Sequence, residues 1–414
     1  MGDSTQGARF EYCWVVLAVG TLAVAGALGF GRFGYTSVLP AMQQDLHMTN
    51  TQTGGMASIN LAGYLILSVL GGALSSKFGA RRVVTAGLAV AGVGMILTGV
   101  ADSFHSAAAW RGITGMGSGA ANVSVMGMWA AWFQPRRRGM AAGIAVTGSS
   151  LALIVIGPLA PYLLAHYGEA GWRVCWFVYG TVTLFFALAA LLFIKSRPPA
   201  SVNPSLPDPA LQWGLVYRSA AVWRLGLVYT AFGFSYIIYV TFFVKRLISE
   251  GGYSREAAGE LFMTMGWASL LCGVIWGSVS DVIGRRRALV IVYLLHAAAF
   301  AIFALMPGVA GFTASALIFG ISAWSIPAIM AATCGDVLGP RLAPAALGFI
   351  TLFFGLGQAV APGVAGALAD AAGSFVPAYL IAAFVALAGS AGAVMLKPSS
   401  TGAPVAAVPG GETP

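Results

Sequence analysis

Long apolar stretches separated by short polar breaks dominate the chain from residue 12 to residue 396. The stretches are continuous, and most reach the roughly 20 residues that an α-helix needs to cross a bilayer. An outer-membrane barrel is disfavoured, because its strands would alternate apolar and polar positions. The pattern predicts twelve helices, called spans 1 to 12: 12–40, 54–75, 82–101, 107–132, 139–165, 172–194, 222–245, 258–280, 288–306, 311–335, 343–369 and 375–396.

The longest break between spans, Lys195–Ala221, is rich in proline and serine and divides the spans into six and six. We therefore expect a polar cytoplasmic N-terminal tail, two six-helix domains joined by a central cytoplasmic loop, and a disordered Gly/Pro/Ala-rich C-terminal tail. Their ranges are 1–11, 12–194, 195–221, 222–397 and 398–414.

A cleaved signal peptide is the alternative interpretation of the first span, since Ala23-Val24-Ala25 resembles a small-residue cleavage site. The apolar run continues to about Leu39, which is too long for a signal core. Its removal would also leave an odd number of spans, so we expect the first span to be retained.

The composition supports a membrane protein. Of the 414 residues 58% are hydrophobic and 8% are charged, where a soluble protein carries about 25% charged residues. This composition excludes an ordinary soluble enzyme, a disordered chain and a nucleic-acid-binding domain. The net charge of +9 does not indicate nucleic-acid binding, because the basic residues lie in short loops between apolar segments. The 55 glycines suit close helix packing in lipid.

No motif for a cofactor, a metal or catalysis is found in the sequence. The four cysteines, at positions 13, 175, 272 and 334, are far apart in or beside apolar segments, and we expect small buried side chains. Their spacing matches no metal site. No phosphate-binding loop occurs, so ATP is not the expected energy source, and no Ser/His/Asp set indicates an enzyme.

Lysines and arginines are unevenly distributed between the two sides of the predicted bundle. With the N-terminus in the cytoplasm, sixteen of the 22 lie on the cytoplasmic side and four on the other, and this bias sets membrane topology. The sixteen are Arg9, Lys77, Arg81, Arg82, Arg136, Arg137, Arg138, Lys195, Arg197, Arg218, Arg224, Arg285, Arg286, Arg287, Arg341 and Lys397, and the four are Arg173, Lys245, Arg246 and Arg255. We expect both termini in the cytoplasm and a bacterial-type inner membrane, with its lipids as partners.

Two loops of the chain repeat each other. Residues 72–82 read Gly-Ala-Leu-Ser-Ser-Lys-Phe-Gly-Ala-Arg-Arg after span 2, and residues 277–287 read Gly-Ser-Val-Ser-Asp-Val-Ile-Gly-Arg-Arg-Arg after span 8. The offset is 205 positions, and Pro158 in span 5 has Pro362 in span 11 at an offset of 204. A duplicated six-helix unit places a substrate site between the halves, near the middle of the membrane.

These motifs resemble those of the major facilitator superfamily. The loop at Gly277–Arg287 resembles the signature loop of that family, as do Arg111-x-x-x-Gly115-x-Gly117 in span 4 and Gly157-Pro158 in span 5. The resemblance extends over about residues 12–397 and implies an all-α membrane protein, with twelve transmembrane helices in two pseudo-symmetric six-helix bundles. A narrower likeness to the monocarboxylate and oxalate/formate branch is carried by Trp132-Phe133, Arg138-Gly139, Gly143 and Gly171-Trp172-Arg173.

The resemblance also makes the two repeated loops gating elements. Ser76 stands where the family usually has an aspartate that helps to latch the helices in the outward-open state, whereas the second loop keeps Asp281. We therefore expect the latch at Asp281. The other gating residues are Gly72, Gly79, Arg81, Gly277, Gly284, Arg285 and Arg286.

Two arginines lie inside predicted spans, where charge is costly and usually functional. Arg32 lies among the glycines of span 1, and three interpretations stay open: a structural arginine bonded to backbone carbonyls, a snorkelling arginine, or a residue that binds a substrate anion or takes part in coupling. Guanidinium suits carboxylate because it donates two hydrogen bonds at once. Arg111 resembles the family's span-4 arginine, whose attributed role is proton coupling or substrate binding, but it also fits a helix end at the headgroups.

None of the 13 acidic residues lies deep in a predicted span. Two intramembrane arginines without carboxylates imply a positive potential, which favours anions over organic cations. Proton coupling therefore lacks an obvious carboxylate. Glu260, near the outer start of span 8, and His296 in span 9 are coupling candidates beside Arg111, with a core histidine as the alternative for His296. The substrate's own carboxylate is a further candidate proton carrier.

Polar and aromatic residues of other spans complete the candidate site. Arg32 plus the repeat offset is position 237, which Tyr236, Tyr239 and Thr241 flank in span 7. Their hydroxyls could contact substrate while the rings form an apolar wall, and simple packing is the alternative. The further candidates are Asn60, Tyr64, Asn122, Trp324 and Gln358.

The sequence therefore predicts a secondary transporter that works by alternating access. The expected substrate is a small organic anion such as a monocarboxylate, moved by proton symport or by exchange for a counter-anion, and the expected state is a monomer. An exporter of drugs or metabolites from the same superfamily is the alternative. A membrane receptor or structural protein without transport, or a membrane enzyme, is disfavoured by the intact duplicated loops and the lack of a catalytic set.

Overall fold

The computed structural model describes residues 2–196 and 213–396, which are helical apart from short turns and contain no strand. The predicted C-terminal tail and most of the predicted central loop lie outside the described residues. The helices are α1 (Gly2–Val24), a π-helical segment (Ala25–Phe33), α2 (Gly34–Asp45), α3 (Asn50–Phe78), α4 (Ala80–Gly99), α5 (Phe104–Trp132), α6 (Pro135–Tyr167), a 3₁₀ turn (Gly168–Ala170), α7 (Gly171–Phe193), α8 (Trp213–Arg218), α9 (Ala220–Ser249), α10 (Arg255–Ser269), α11 (Cys272–Ile283), α12 (Arg285–Leu305), α13 (Val309–Gly320), α14 (Ser325–Ala372) and α15 (Val376–Val394).

All twelve predicted spans fall on helices, which confirms the all-α fold. Ten stretches of the described chain are long and apolar enough to cross a membrane. One of them, Gly139–Phe193, contains both α6 and α7 and so covers spans 5 and 6. Span 4 is α5, whose 29 residues suffice for a crossing although glycine, serine, Arg111 and Asn122 make it less apolar.

Three predicted spans are less regular than the sequence indicates. Span 1 contains the π-helical segment, span 8 is broken at Leu270-Leu271 and span 10 at Ile321–Trp324. A serine lies at each of the breaks in spans 8 and 10. Ser269 donates to the Gly266 carbonyl at 2.9 Å and Ser322 to the Ile318 carbonyl at 2.9 Å, and such side-chain bonds compete with the backbone hydrogen bonds of the helix.

The boundary between spans 10 and 11 also differs from the prediction. The expected break at residues 336–342 is helical, so α14 runs for 48 residues from the end of span 10 through span 11.

The duplication is visible in the backbone. Gly79 and Gly284, 205 positions apart, have φ/ψ of 86°/143° and 88°/145°, a positive-φ conformation that favours glycine. Each joins two spans by a single-residue turn, between α3 and α4 and between α11 and α12. We call the end of the bundle that carries these two turns the basic end.

The two halves meet chiefly along three helix pairs, α3 against α14, α6 against α10, and α2 against α9, with a smaller contact of α6 on α11. Glycines allow close approach. A Cβ added at Gly157 would lie 2.6 Å from the Gly259 carbonyl, and one added at Gly54 would strike the Pro362 carbonyl.

The halves separate towards the basic end. Helix α3 packs on α14 as far as Leu65, which contacts Gly355, whereas a Cβ added at Gly72 would have no neighbour within 4 Å. Helix α6 packs on α10 at Gly157, but a Cβ at Gly139 would likewise meet nothing. The halves are therefore packed together at the end opposite the basic end and make fewer contacts towards the basic end, where a Cβ added at Gly143 of α6 would lie 3.7 Å from Val274 of α11.

Candidate functional site

Arg32 joins the two halves in the middle of the bundle. Its Nη1 donates a hydrogen bond of 3.2 Å to the Tyr236 hydroxyl of α9, and its guanidinium carbon lies 4.5 Å from the ring centroid of Tyr64 on α3. Arg32 and Tyr64 are only half-buried. The second terminal nitrogen, Nη2, is buried and has no partner among the described residues. The guanidinium therefore has a charged N–H donor that no described residue uses.

Two amide side chains extend this group. Gln358 on α14 donates to the same Tyr236 hydroxyl, and Asn122 on α5 donates from Nδ2 to the Tyr64 hydroxyl at 2.8 Å. Five side chains from five spans thus form one connected set, which we call the Arg32 network: Arg32, Tyr64, Asn122, Tyr236 and Gln358. All five are residues that the sequence singled out.

Trp324 forms an aromatic wall beside this network. It lies at the break in span 10, with its ring centroid 6.2 Å from Tyr236 and 5.4 Å from Phe33 of the π-helical segment. Its Nε1 donates to the Ser150 hydroxyl at 3.1 Å, and Ser150 also bonds Ser269 at 2.8 Å. The two serines, from opposite halves, were missed by sequence reasoning because a lone hydroxyl in an apolar span gives no signal.

Arg111 is not a member of the Arg32 network but bonds the backbone beside Arg32. The side chain is 1% exposed, donates from Nη1 to the Gly31 carbonyl at 2.7 Å, and packs between the rings of Tyr35 and Trp176 at 5.2 and 4.7 Å. Asn60 donates to the Arg111 carbonyl at 2.7 Å, which ties α3 to α5. Arg111 therefore bonds the π-helical segment that carries Arg32, and Asn60 bonds the backbone of α5 at Arg111 itself.

The remaining candidates are not brought to Arg32. Tyr239 packs among phenylalanines inside the second half, with its hydroxyl 2.8 Å from that of Ser315, and Thr241 is buried in the same helix. His296 is also in this core, with Nε2 3.2 Å from the Ser322 carbonyl, as expected for a core histidine. Glu260 is exposed on α10.

The middle of the bundle carries positive charge alone. In the described parts of the chain, ion pairs occur near the ends of the spans: Asp45–Arg173, Arg246–Glu250, Asp281–Arg285 and Asp336–Arg285. The described residues contain no cluster of three metal-ligating side chains, and all four cysteines are buried. The arrangement suits an organic anion bound by hydrogen bonds.

The repeated loops differ in their contacts at the basic end. In the first, the Ser76 hydroxyl bonds the Gly72 carbonyl of its own helix at 3.0 Å, and Arg81 donates to the Leu191 carbonyl at 2.7 Å. In the second, Arg285 pairs with Asp281 at 2.5 Å and with Asp336 at 3.2 Å. Gly277 is open to the surroundings, and Arg286 is half-buried in the first turn of α12.

A polar cluster, which we call the interdomain lock, holds the opposite end closed. Lys245 on α9 is 7% exposed and donates to Gln43 and Asn50 of the first half. Asp370 on α14 accepts from the backbone nitrogens of Asn50 and Thr51 at 2.9 and 2.7 Å and from the Thr51 hydroxyl at 2.6 Å. A carboxylate of one half thus caps a helix of the other. Sequence reasoning placed Lys245 and Asp370 only in outer loops.

Comparisons with known proteins identify the family of this chain. The family model described as "Uncharacterised MFS-type transporter YbfB" matches residues 24–395. The chain is 24% identical to the hexuronate transporter of Bacillus subtilis over 88% of this chain and 90% of that protein. It is 27% identical to human monocarboxylate transporter 11 over 91% and 81%. It is 22% identical to the probable sulfoacetate transporter SauU of Cupriavidus necator over 89% and 90%.

A solved structure has the same fold. A bacterial homologue of the human lysosomal transporter Spinster, in an inward-facing and unoccupied conformation, superposes with a TM-score of 0.71 at 15% identity, over 94% of this chain and 95% of that one. Together with the twelve helical spans and the duplicated loops, the family match shows that the chain is a multi-pass membrane transporter of the major facilitator superfamily and not an enzyme.

Proposed function

We propose that this transporter moves a small organic anion across the membrane by alternating access. The observation that carries the proposal is the Arg32 network, in which a guanidinium between the two halves keeps Nη2 without a described partner and far from the ion pairs at the span ends. A carboxylate bound there would receive a charge-assisted hydrogen bond in a region of low dielectric. The site would then contact both halves at once.

The relatives are named for substrates that share this chemistry. Hexuronate, monocarboxylate and sulfoacetate are all acid anions. Between proteins of 22–27% identity this supports a class of substrate and not one compound. A small acid with one or more anionic groups is the class that we propose for this chain.

Alternating access follows from the two kinds of contact between the halves. From the positive-inside bias we infer that the basic end is cytoplasmic, which would make the closed end face outward and the conformation inward-open. Release of the interdomain lock and approach of the two gating loops would convert it to the outward-open state. We place the protein in a bacterial-type inner membrane with both termini cytoplasmic.

Coupling is proposed to use the substrate itself. Glu260 is exposed on α10 and His296 is buried among phenylalanines, so neither contacts the Arg32 network. Proton symport would then proceed with the acid carrying its own proton, and anion exchange with a second anion returning through the same site.

Uptake into proteoliposomes tests the proposal. Purified protein would be reconstituted and offered labelled small acids and, as a control class, organic cations of similar size. We expect saturable uptake of acids, accelerated either by an acidic exterior or by an unlabelled acid inside the vesicles. The two accelerations separate symport from exchange. Uptake of cations without uptake of any acid would contradict the proposal.

A further inference from the structure

Two amide groups of the Arg32 network have hydrogen-bonding capacity that the described protein does not use. Gln358 is 1% exposed, yet its Oε1 has no hydrogen-bond partner among the described residues. Oδ1 of Asn122, on the other half, is also buried and also lacks a hydrogen-bond partner among the described residues. Buried polar groups in proteins are nearly always paired, so each of these two atoms is open to a hydrogen bond from water or from a bound molecule.

The position of both amides is fixed by the tyrosines that contact Arg32. Gln358 bonds the hydroxyl of Tyr236, which accepts from Arg32 at 3.2 Å. Asn122 bonds the hydroxyl of Tyr64 at 2.8 Å, and the ring of Tyr64 lies under the Arg32 guanidinium at 4.5 Å. The unused amide ends therefore belong to the two residues that extend the network on either half, and each amide is linked to Arg32 through one tyrosine.

The chemistry of the missing partner follows from the amide group. The oxygen and nitrogen of a side-chain amide exchange places by a rotation, so its free end presents either an acceptor or two donors. A hydroxyl satisfies both, since it donates and accepts. A second carboxylate would fit only the donor form, and an ammonium only the acceptor form beside a guanidinium that repels it. Neutral hydroxyls are thus the groups that fit next to an anion bound at Arg32.

We infer that the substrate is a hydroxylated organic acid, whose anionic group binds Arg32 while hydroxyls bind Asn122 and Gln358. This inference rests on the proposed transport of anions and adds to it a requirement at the carbon chain. A site built to bond a hydroxyl discriminates against the analogue that lacks it, because the amide is then left unpaired. The expected preference is roughly tenfold for each hydroxyl that is bound.

Matched pairs of acids test this requirement in the wild-type protein. Uptake of a labelled acid into proteoliposomes would be inhibited by glycerate or propionate, and by gluconate or hexanoate, which differ chiefly in their hydroxyls. We expect the hydroxylated member of at least one pair to inhibit at about tenfold lower concentration. Equal inhibition by both members of both pairs, with acid uptake intact, would overturn the hydroxyl requirement and leave anion transport standing. Absence of any acid uptake would instead overturn the proposed function on which the inference rests.

Two variants assign the preference to the amides. Gln358→Leu and Asn122→Leu should each reduce the ratio between the members of a pair, and the ratio is the readout because either change also alters a tyrosine that contacts Arg32. Gln44→Leu, at an exposed glutamine of α2, is the matched control and should leave the ratio unchanged. An undiminished ratio in both amide variants would overturn the assignment. If Gln358→Leu fails to fold, the ratio in Asn122→Leu and in the wild type still decides.

Discussion

Arg32 and Tyr236 stand 204 positions apart in the chain and share a hydrogen bond of 3.2 Å between Nη1 and the phenolic oxygen. The repeat offset is 205, so the two residues are near-equivalent positions of spans 1 and 7, one in each half. One turn further along, the Thr36 hydroxyl donates to the Val240 carbonyl at 3.0 Å, again across 204 positions. The contacts therefore lie close to the pseudo-two-fold axis, where an anion at Arg32 would respond to movement of either half.

The first prediction concerns the shape of the Arg32 guanidinium. Arg32→Lys should lower the initial rate of acid uptake about tenfold or more, because a single ammonium cannot bond Tyr236 and a carboxylate as a planar fork does. Expression and monodispersity should stay close to wild type. Full uptake by Arg32→Lys would show that anion recognition does not depend on Arg32. An Arg32→Ala variant that aggregates would support a structural role instead.

The second prediction assigns a structural role to Arg111. Arg111→Met should destabilise the protein, since loss of the bond to the buried Gly31 carbonyl costs about 1–3 kcal/mol. Thermal unfolding of the purified protein in detergent, followed by tryptophan fluorescence, should show a melting temperature several degrees lower. The affinity for acids should change less than in Arg32→Lys. A variant with unchanged melting temperature but no uptake would favour the substrate or coupling role that the family likeness implies.

The third prediction concerns the interdomain lock. Asp370→Asn removes the charge that caps α3, and Lys245→Met removes the donor to Gln43 and Asn50, so each should weaken closure of that end. A cysteine placed at Ser58, whose hydroxyl accepts from the Gly363 nitrogen at 3.1 Å in the closed interface, reports the opening. Its labelling by an impermeant maleimide from the closed side should rise several-fold, and the four native cysteines are buried.

Asp102→Asn is the matched control for this experiment. Asp102 bonds Ser106 within its own half at 3.2 Å and makes no described bond to the other half. Its substitution should leave the labelling of Ser58→Cys unchanged. Equal labelling in Asp370→Asn, Lys245→Met and wild type would show that the lock does not hold the closed state.

The fourth prediction compares the two gating loops. In this conformation Asp281 is 63% exposed and pairs with Arg285 one turn away, an ion pair of small energetic weight in water. Its expected role is in the outward-open state, so Asp281→Asn should shift the population towards the inward-open state and lower turnover. Labelling of Ser68→Cys, on the part of α3 beyond the contact with α14, should rise. Ser76→Ala should have much less effect, because that hydroxyl bonds its own helix.

Two outcomes would contradict this asymmetry. One is equal labelling of Ser68→Cys in the wild type and in Asp281→Asn. The other is a Ser76→Ala phenotype as severe as that of Asp281→Asn, since the two loops would then not differ in function.

Hydropathy, the internal repeat and one intramembrane charge were enough to predict where the spans lie, how the chain is duplicated and which residue is the charged centre of the site. Span positions follow from local hydropathy. Each loop of the repeat has a glycine, Gly79 or Gly284, at the one position where the backbone takes a positive φ. Arg32 was evident because a charge in lipid is costly wherever the helix faces. Tyr64, Asn122, Trp324 and Gln358 could be named as polar or aromatic residues within spans, and Tyr236 from the repeat offset to Arg32, but they could not be joined to each other.

Which polar groups meet depends on how the spans pack against each other in three dimensions. Span 7 is apolar on nearly all faces, so its sequence does not show which face points to the centre of the bundle. Packing between the spans brings Tyr236 to Arg32 and buries Tyr239 in the core of the second half. The lock between Lys245 and Asn50 joins residues 195 positions apart, and the buried Arg111 bonds the Gly31 carbonyl of the π-helical segment across 80 positions. Contacts of this kind arise from helix packing between spans, which local pattern does not encode.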